Sequence, residues 1–456
     1  MIIIYKEIQE ILHIMKRLIF LILAIVMIVP AASVFAGGPP PKDMLKGKFI
    51  EIQEEAHTAT FIKDGSGEQI TLTLAEGMTA KDVTLNKKVM VGLDKHAGEG
   101  VIKDISIMFM TLTPMKIGAL LLIGLIGGLL SGFIGSGGAF VLTPAMMSLG
   151  APGAIAVASN MCHKFPKAMV GAYKRYKYGQ ADIKLGLTMA TTAILGVQIG
   201  IRIQKFILNS WGNAGSNLYV SVVFVLVLVL VGAYVLYDAY KLAKGGGESK
   251  TPGFALKMQK IELWPMMEFK VAKVRISAWV TIPVGLFTGM LAATIAVGGF
   301  IGVPGMIYVV GASAMVASAT ELIIAFIMGA WGSLQWGLSG LIDIRLTLLI
   351  LAGSLIGVQL GALGTTYVKD HIIKLVMASV MLIVAVSRGA KIPGYLADLG
   401  LRSELQPQMI YILEGISFWA LIAALGTAGI IITAAMTKGM MQAKSEVAVR
   451  KVSNHG

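Results

Sequence analysis

The chain has 456 residues, 56% of them hydrophobic and 14% charged, with a formal net charge of +14 at pH 7. Soluble domains carry about a quarter charged residues, and several apolar runs here reach the roughly 20 residues a helix needs to cross a bilayer. A soluble globular protein is therefore excluded and a polytopic membrane protein is indicated.

The basic residues lie beside the apolar runs and form no separate basic domain, which excludes nucleic-acid binding. The positive charge then serves cytoplasmic loops or an anionic ligand. The single cysteine, Cys162, excludes an internal disulfide and any multi-cysteine metal or iron–sulfur centre.

Residues 1–36 read as a secretion signal. Lys16 and Arg17 precede the run LIFLILAIVMIV, and ASVFA ends on the small Ala36. The alternative is an uncleaved anchor helix, and either one places the following residues outside the cytoplasm. Residues 37–43, GGPPPKD, form a stiff linker.

Residues 44–109 change character. GKFIEIQ, TATFI, EQITLTL, KKVMVGL and VIKDISIM are short alternating or β-branched runs, and KDGSG is a turn. They predict a five-stranded antiparallel barrel or sandwich, a small all-β, OB-like domain. His57 and His96 stand alone there, whereas a zinc site needs three or four ligands, so no metal is expected.

From Pro114 onward the chain reads as membrane. Spans are predicted over 115–135, 152–172, 183–205, 217–240, 278–297, 313–333, 345–366, 371–389 and 409–436. Two apolar pieces, 138–150 and 299–311, are too short to cross; about 13 helical residues rise only about 20 Å.

An internal repeat organises these spans. DIKLGL at 182 matches DIRLTL at 343, GVQIG at 196 matches GVQLG at 357, and GG at 137–138 matches GG at 298–299. Each later member lies 161 positions after its partner (343 − 182, 357 − 196, 298 − 137), with no gap from Gly124/Gly285 to Gly200/Gly361.

Charge sets the orientation. Lys174, Arg175 and Lys177 make the loop after 152–172 cytoplasmic, while its counterpart GSLQWGLSGLID has no Lys or Arg and is expected outside. The two copies then face opposite ways, which requires each short Gly-rich piece to double back. The expected architecture is an all-α membrane bundle with an inverted repeat and broken, re-entrant helices. Its first repeat covers 115–240, a basic cytoplasmic linker 241–277 and the second repeat 278–389. An extra span follows at 409–436, with a cytoplasmic tail at 437–456.

Two regions can carry chemistry. At the breaks, Ser136, Gly137 and Gly138 from one copy, and Gly298 and Gly299 from the other, leave backbone N–H groups uncovered at the starts of short helices. Two opposed helix N-termini make an anion site without charged side chains. Close helix packing is the competing use of these glycines.

The second region is the polar face of 152–172, where Asn160, His163, Lys164 and Lys167 recur at helical spacing. Lys167 is expected to snorkel toward the cytoplasmic end. Lys164 sits nearer the centre and needs a cavity or a counter-charge. Position 321, the counterpart of Asn160, is glutamate, so Lys164 and Glu321 can pair across the repeat interface, with His163 as a proton relay. Asp182 and Asp343 are expected helix N-caps, and Gln198 and Gln359, set within Gly-x-x-x-Gly, expected packing residues.

GLLSGFIGSGGAFVLTPAMMSLGAPGAIAVASN resembles the first-repeat signature of the sulfite exporter TauE/SafE transporters, and FTGMLAATIAVGGFIGVPGMIYVVGASAMVASATEL resembles a second copy of it. The resemblance covers roughly residues 115–390. It implies export of a sulfur oxyanion or small organosulfonate across the inner membrane without ATP hydrolysis. The residues offer no nucleophile–base pair or metal cluster, so an enzyme is not expected, nor a cofactor. The resemblance further implies that Ser136, Gly137, Gly138, Ser159 and Asn160 line the site with Gly298, Gly299, Thr320 and Glu321. The expected partners are a small anion, the lipid bilayer and an extracytoplasmic protein docking on the β domain. The alternative is a membrane-anchored sensor that binds its partner through that domain.

Overall fold

The computed structural model describes residues 44–53, 56–63, 67–74, 83, 88–93, 100–107, 110, 112–135, 138–244, 251–368, 370–403 and 405–453. The signal or anchor at 1–36 and the linker at 37–43 lie outside these residues.

The N-terminal strands are β1 (Met44–Gln53), β2 (Thr58–Lys63), β3 (Gln69–Leu74), β4 (Lys88–Leu93) and β5 (Val101–Ile107). They close into a barrel in the order β1-β2-β3-β5-β4. Strand β1 serves two neighbours. Its first half pairs with β4 and its second half with β2, with a register shift between Phe49 and Glu51 that bends it around the barrel. Gly47 sits at that curve, where a Cβ would collide with the Ile62 carbonyl and the Phe61 ring.

The expected all-antiparallel pairing differs at one seam, where β3 and β5 run parallel. An odd number of strands cannot alternate direction all the way round a closed ring. Phe49 and Phe61 meet edge to face inside, their ring centroids 5.0 Å apart.

The membrane part contains α1 (Pro114–Ile134), α2 (Ala139–Ser148), α3 (Gly153–Lys177) and α4 (Ile183–Lys244) in the first copy. After α5 (Gly253–Gln259) and a hairpin of β6 (Met266–Phe269) and β7 (Val274–Ser277), the second copy begins with α6 (Ala278–Ile295) and α7 (Gly299–Gly305). Helix α7 runs into a π-turn, Met306–Val310. Next come α8 (Ala314–Leu338), α9 (Ile344–Gly364) and α10 (Asp370–Gly389). The chain closes with α11 (Ile392–Asp398) and α12 (Pro407–Ser453).

Among the described residues, seven stretches are long and apolar enough to cross a membrane. One of them, Ile183–Lys241, is interrupted by Gly212 (φ 63°) and holds two of the expected spans. Helix α3 is not among the seven because of its polar residues, yet its 25 residues rise about 37 Å.

The repeat offset reappears in the element bounds. Helices α8 and α3 start and end 161 positions apart (314 − 153, 338 − 177), as α9 and α4 do at their starts (344 − 183).

Both short helices double back. A Cβ on Gly138 would collide with the carbonyl of Gly127 on α1, and Gly150, beyond α2, returns to the level of Lys116 near the start of α1. In the second copy, Gly298 faces Thr288 and Gly305 faces Val284, so α7 likewise retreats along α6.

The copies interlock through glycine. On α1, Gly124, Gly128 and Gly132 lie on the backbone of Ile350, Ser354 and Val358 of α9. In return Gly353, Gly357 and Gly361 of α9 lie on Leu121, Leu125 and Leu129. The symmetric pair is α6 with α4, where Gly285 and Gly289 meet Met189 and Ala193, and Gly196 and Gly200 meet Leu286 and Met290. The partner numbers rise together, so both pairs are parallel. Small residues every fourth position allow this backbone-to-backbone approach.

Helices α3 and α8 instead run antiparallel. Phe165 stacks on Phe326 with centroids 5.4 Å apart, while Gly332 meets Met161 and Gly171 meets Leu322. Residues 174–178 and 335–340 therefore lie at opposite ends of the bundle.

Two predictions follow from this packing. Gly128→Ala should force α1 and α9 apart at a cost of about 1–3 kcal/mol and lower the melting temperature in detergent. Gly118→Ala, on the same helix with nothing within 4 Å of its added Cβ, should leave it unchanged. In intact membranes, Lys177→Cys and Ser339→Cys should react with an impermeant maleimide from opposite faces, while Cys162, being buried, gives little background.

Candidate functional site

Each copy breaks its first helix at the same place. Helices α1 and α6 end at Ile134 and Ile295, and the next residues, Gly135 (φ 101°) and Ala296 (φ 63°), both adopt positive φ. Alanine is rarely found in the left-handed region, so the second break is held by its surroundings. The rings of Phe140 on α2 and Phe300 on α7 meet edge to face with centroids 4.2 Å apart, which brings the tips of the two hairpins together.

Helix α3 runs alongside with a buried polar stripe. Asn160, His163, Lys164, Lys167 and Arg175 are all fully buried. Lys164 Nζ donates to the carbonyl of Ala296 at 3.1 Å, so its ammonium sits at the second break, and Glu321 is the opposite charge acting on it.

Arg175 serves the first break. Its Nη1 donates to the Gly132 carbonyl (3.0 Å), and its Nη2 donates to the Met315 carbonyl and to Ser318 Oγ (2.8 Å each). It thereby satisfies carbonyl groups at the C-terminal end of α1.

Asn160 and Glu321 hold equivalent places. Asn160 Nδ2 donates to the Ala139 carbonyl and to Thr143 Oγ1, both at 2.8 Å, and so braces α2. Glu321 lies against Gly302 of α7, where a Cβ would meet the carboxylate.

His163 joins α3 to the α1–α9 pair. Its Nδ1 is 3.2 Å from Asn160 Oδ1 and its Nε2 is 2.8 Å from Ser354 Oγ, which in turn reaches the Ile350 and Gly124 carbonyls. The Ser354 hydroxyl can donate to His163 or to a carbonyl, so the network accommodates imidazole and imidazolium alike.

The hydroxyls of Ser159 and Thr320 are engaged in a crossed pair of contacts. Asp343 N–H donates to Ser159 Oγ at 2.9 Å, and Asp182 N–H donates to Thr320 Oγ1 at 3.0 Å, each tying one copy to the start of the other's fourth helix. Asp343 is the N-cap of α9, and the Asp182 carboxylate accepts from Leu185 N–H at the start of α4. The glycines at the breaks are in close contact as well. Gly138 abuts Gly127, and Gly298 abuts the Thr288 carbonyl and Ala292. Gly299 starts α7, and Ser136 and Gly137 lie outside the described residues.

Two cations differ from expectation. Lys167 does not snorkel; it is fully buried and its Nζ has no hydrogen-bonding partner among the described residues. It lies one helical turn from Lys164, and the two like charges act on each other. Arg175, read from sequence as a loop charge, belongs to the buried stripe. The signal was present, because positions 160, 164, 167, 171 and 175 share one face of a helix.

The second copy has no such stripe. Positions equivalent to His163, Lys164, Lys167 and Arg175 are Ile324, Ala325, Met328 and Trp336.

Residues 120–388, which span both copies of the repeat, match the family model described as sulfite exporter TauE/SafE. The chain belongs to the sulfite exporter TauE/SafE family. The probable membrane transporter protein YdhB of Bacillus subtilis (strain 168) is 22% identical over 253 residues, covering 54% of this chain and 89% of that protein. No solved structure matches. The match to the TauE/SafE model starts after the barrel and stops before α12, so it covers the repeat pair and neither end. The chain is a membrane transporter in family and architecture.

The crossed hydroxyl contacts generate a test. Ser159→Ala and Thr320→Val each leave one buried N–H unpaired, at a cost of about 1–3 kcal/mol. Each should lower the melting temperature, whether or not an anion is present. A ligand-lining role alone would instead remove only the stabilisation that added anion confers.

Proposed function

We propose that this protein is a secondary transporter that moves a small anion, sulfite or a related sulfur oxyanion or organosulfonate, across the inner membrane. The observation that carries this reading is the buried amino group of Lys167. It sits beside His163 and beside Lys164, whose amino group reaches the second break, and it has no hydrogen-bonding partner among the described residues. A buried cation of this kind is costly unless something negative joins it. The tips of α2 and α7 add the positive ends of two short helices.

The anion displaces no covalent chemistry. Lys167 and Lys164 hold it, Asn160 and the break glycines shape its cage, and Glu321 keeps the emptied site from carrying the full positive charge. His163, with its adaptable partner Ser354, supplies a place for a coupled proton. Transport proceeds as the two seam pairs, α1 with α9 and α4 with α6, rock as units about this site, as bundles do in other inverted-repeat carriers. The Lys/Arg bias of Lys174, Lys177 and the basic linker 241–277 supports an orientation with those ends in the cytoplasm, the barrel outside and the C-terminal tail inside.

In proteoliposomes, efflux of labelled sulfite should fall about tenfold or more for Lys167→Met, the equivalent of about 1.4 kcal/mol, while the variant elutes and melts as a folded protein. Unchanged flux in that variant would remove Lys167 from the binding site. No sulfite, sulfonate or sulfate flux above empty vesicles would overturn the transport reading.

A further inference from the structure

The segment joining the two copies has one face fastened to the bundle. The Asp182 carboxylate accepts from the N–H groups of Val271 and Ala272 (3.0 and 3.1 Å), and Lys184 Nζ donates to the Glu268 carbonyl (3.1 Å). Gln259 Nε2 donates to the Val310 carbonyl at 2.9 Å. These bonds tie the start of α4 in the first copy to the base of the second re-entrant hairpin.

The opposite character is exposed. Phe254, Leu263 and Trp264 are 54%, 56% and 87% accessible. Five basic residues, Lys257, Lys260, Lys270, Lys273 and Arg275, stand in the same segment against Glu262 and Glu268.

The height of this surface is fixed by one hydrogen bond. Trp279, in the first turn of the membrane-spanning α6, donates from Nε1 to the Trp264 carbonyl at 3.0 Å. Trp264 therefore lies where a span begins, at the boundary of hydrocarbon and water. Indole rings with basic side chains at that level match an interface that is apolar below and anionic above. A soluble protein would meet the basic residues but would leave Trp264 and Leu263 facing the bilayer.

We propose that residues 253–275 form a clamp that binds anionic lipid headgroups. Trp264 and Leu263 seat in the acyl boundary, while Lys257, Lys260 and Arg275 lie on the phosphates. Through Asp182 and Gln259, headgroup binding holds together elements of both copies at one mouth of the bundle.

The test uses the full chain in vesicles of phosphatidylcholine with and without phosphatidylglycerol, one lipid at a time carrying brominated acyl chains. The Trp264 share of the emission is obtained by difference from Trp264→Phe, because the chain has 6 tryptophans. Brominated phosphatidylglycerol should quench that share more than brominated phosphatidylcholine. The preference should weaken with salt and drop about fivefold for each lysine neutralised in Lys257→Gln and Lys260→Gln. Equal quenching by the two lipids would overturn headgroup recognition. Quenching by aqueous iodide with none by bromine would overturn membrane seating and indicate a protein-docking or solvent surface. The lipid comparison needs only Trp264→Phe, a change at a side chain 87% exposed, so a misfolded lysine variant leaves the result readable.

Discussion

The architecture depends on backbone lying on backbone. Where α1 meets α9, and where α4 meets α6, a glycine every fourth residue removes the side chains that would hold the helices apart. In hydrocarbon there is no hydrophobic force to drive helix association, so close van der Waals contact and weak Cα–H···O contacts must supply it. Because each pair takes one helix from each copy, the same contacts that glue helices also set the copies in register. Separating the copies would break both seams at once, so they form one domain and not two halves of a hinge.

That rigid frame is what makes room for a polar α3. A helix that buries two lysines, a histidine and an arginine gains nothing from lipid, and Arg175 and Lys164 find partners at the places where other helices fail. The carbonyls freed at the end of α1 take Arg175, and the carbonyl of Ala296 takes Lys164. Broken helices and buried cations thus satisfy one another, in keeping with the rule that irregular backbone at membrane depth survives only inside protein or along a cavity. The duplication is faithful in its frame and not in its chemistry. Ser159 matches Thr320 and Asp182 matches Asp343, but the cations of α3 face Ile324, Ala325 and Met328 in the mirror positions.

Much of this was legible in the residues. A repeat holding one offset without gaps revealed the duplication, and the reversal of Lys/Arg between equivalent loops implied its inversion. Alternation of apolar residues marked the five strands. Strand direction at the β3–β5 seam was not legible, since periodicity reports which face a residue takes and not which way its neighbour runs.

The site was read less completely. The family resemblance pointed to Ser159 and Thr320, but only the structure shows their hydroxyls under the N–H groups of Asp343 and Asp182. Lys167 and Arg175 looked like ordinary helix-end cations because helix position predicts depth and not what packs outside. Here α8 and α9 cover that face, and nothing local in the sequence says so.

The closed ring of β strands has a consequence of its own. Among the described residues each barrel strand has a bonded neighbour on both sides, but β3 and β5 share only the pairs Thr73–Val101 and Leu74–Ile102, so the start of β3 is paired to β2 alone. Among the described residues, recruitment of an extended peptide as an extra strand is therefore limited to that short stretch of edge. Elsewhere on the barrel a visitor has to be gripped by side chains or connecting turns, which makes recognition there a matter of surface chemistry.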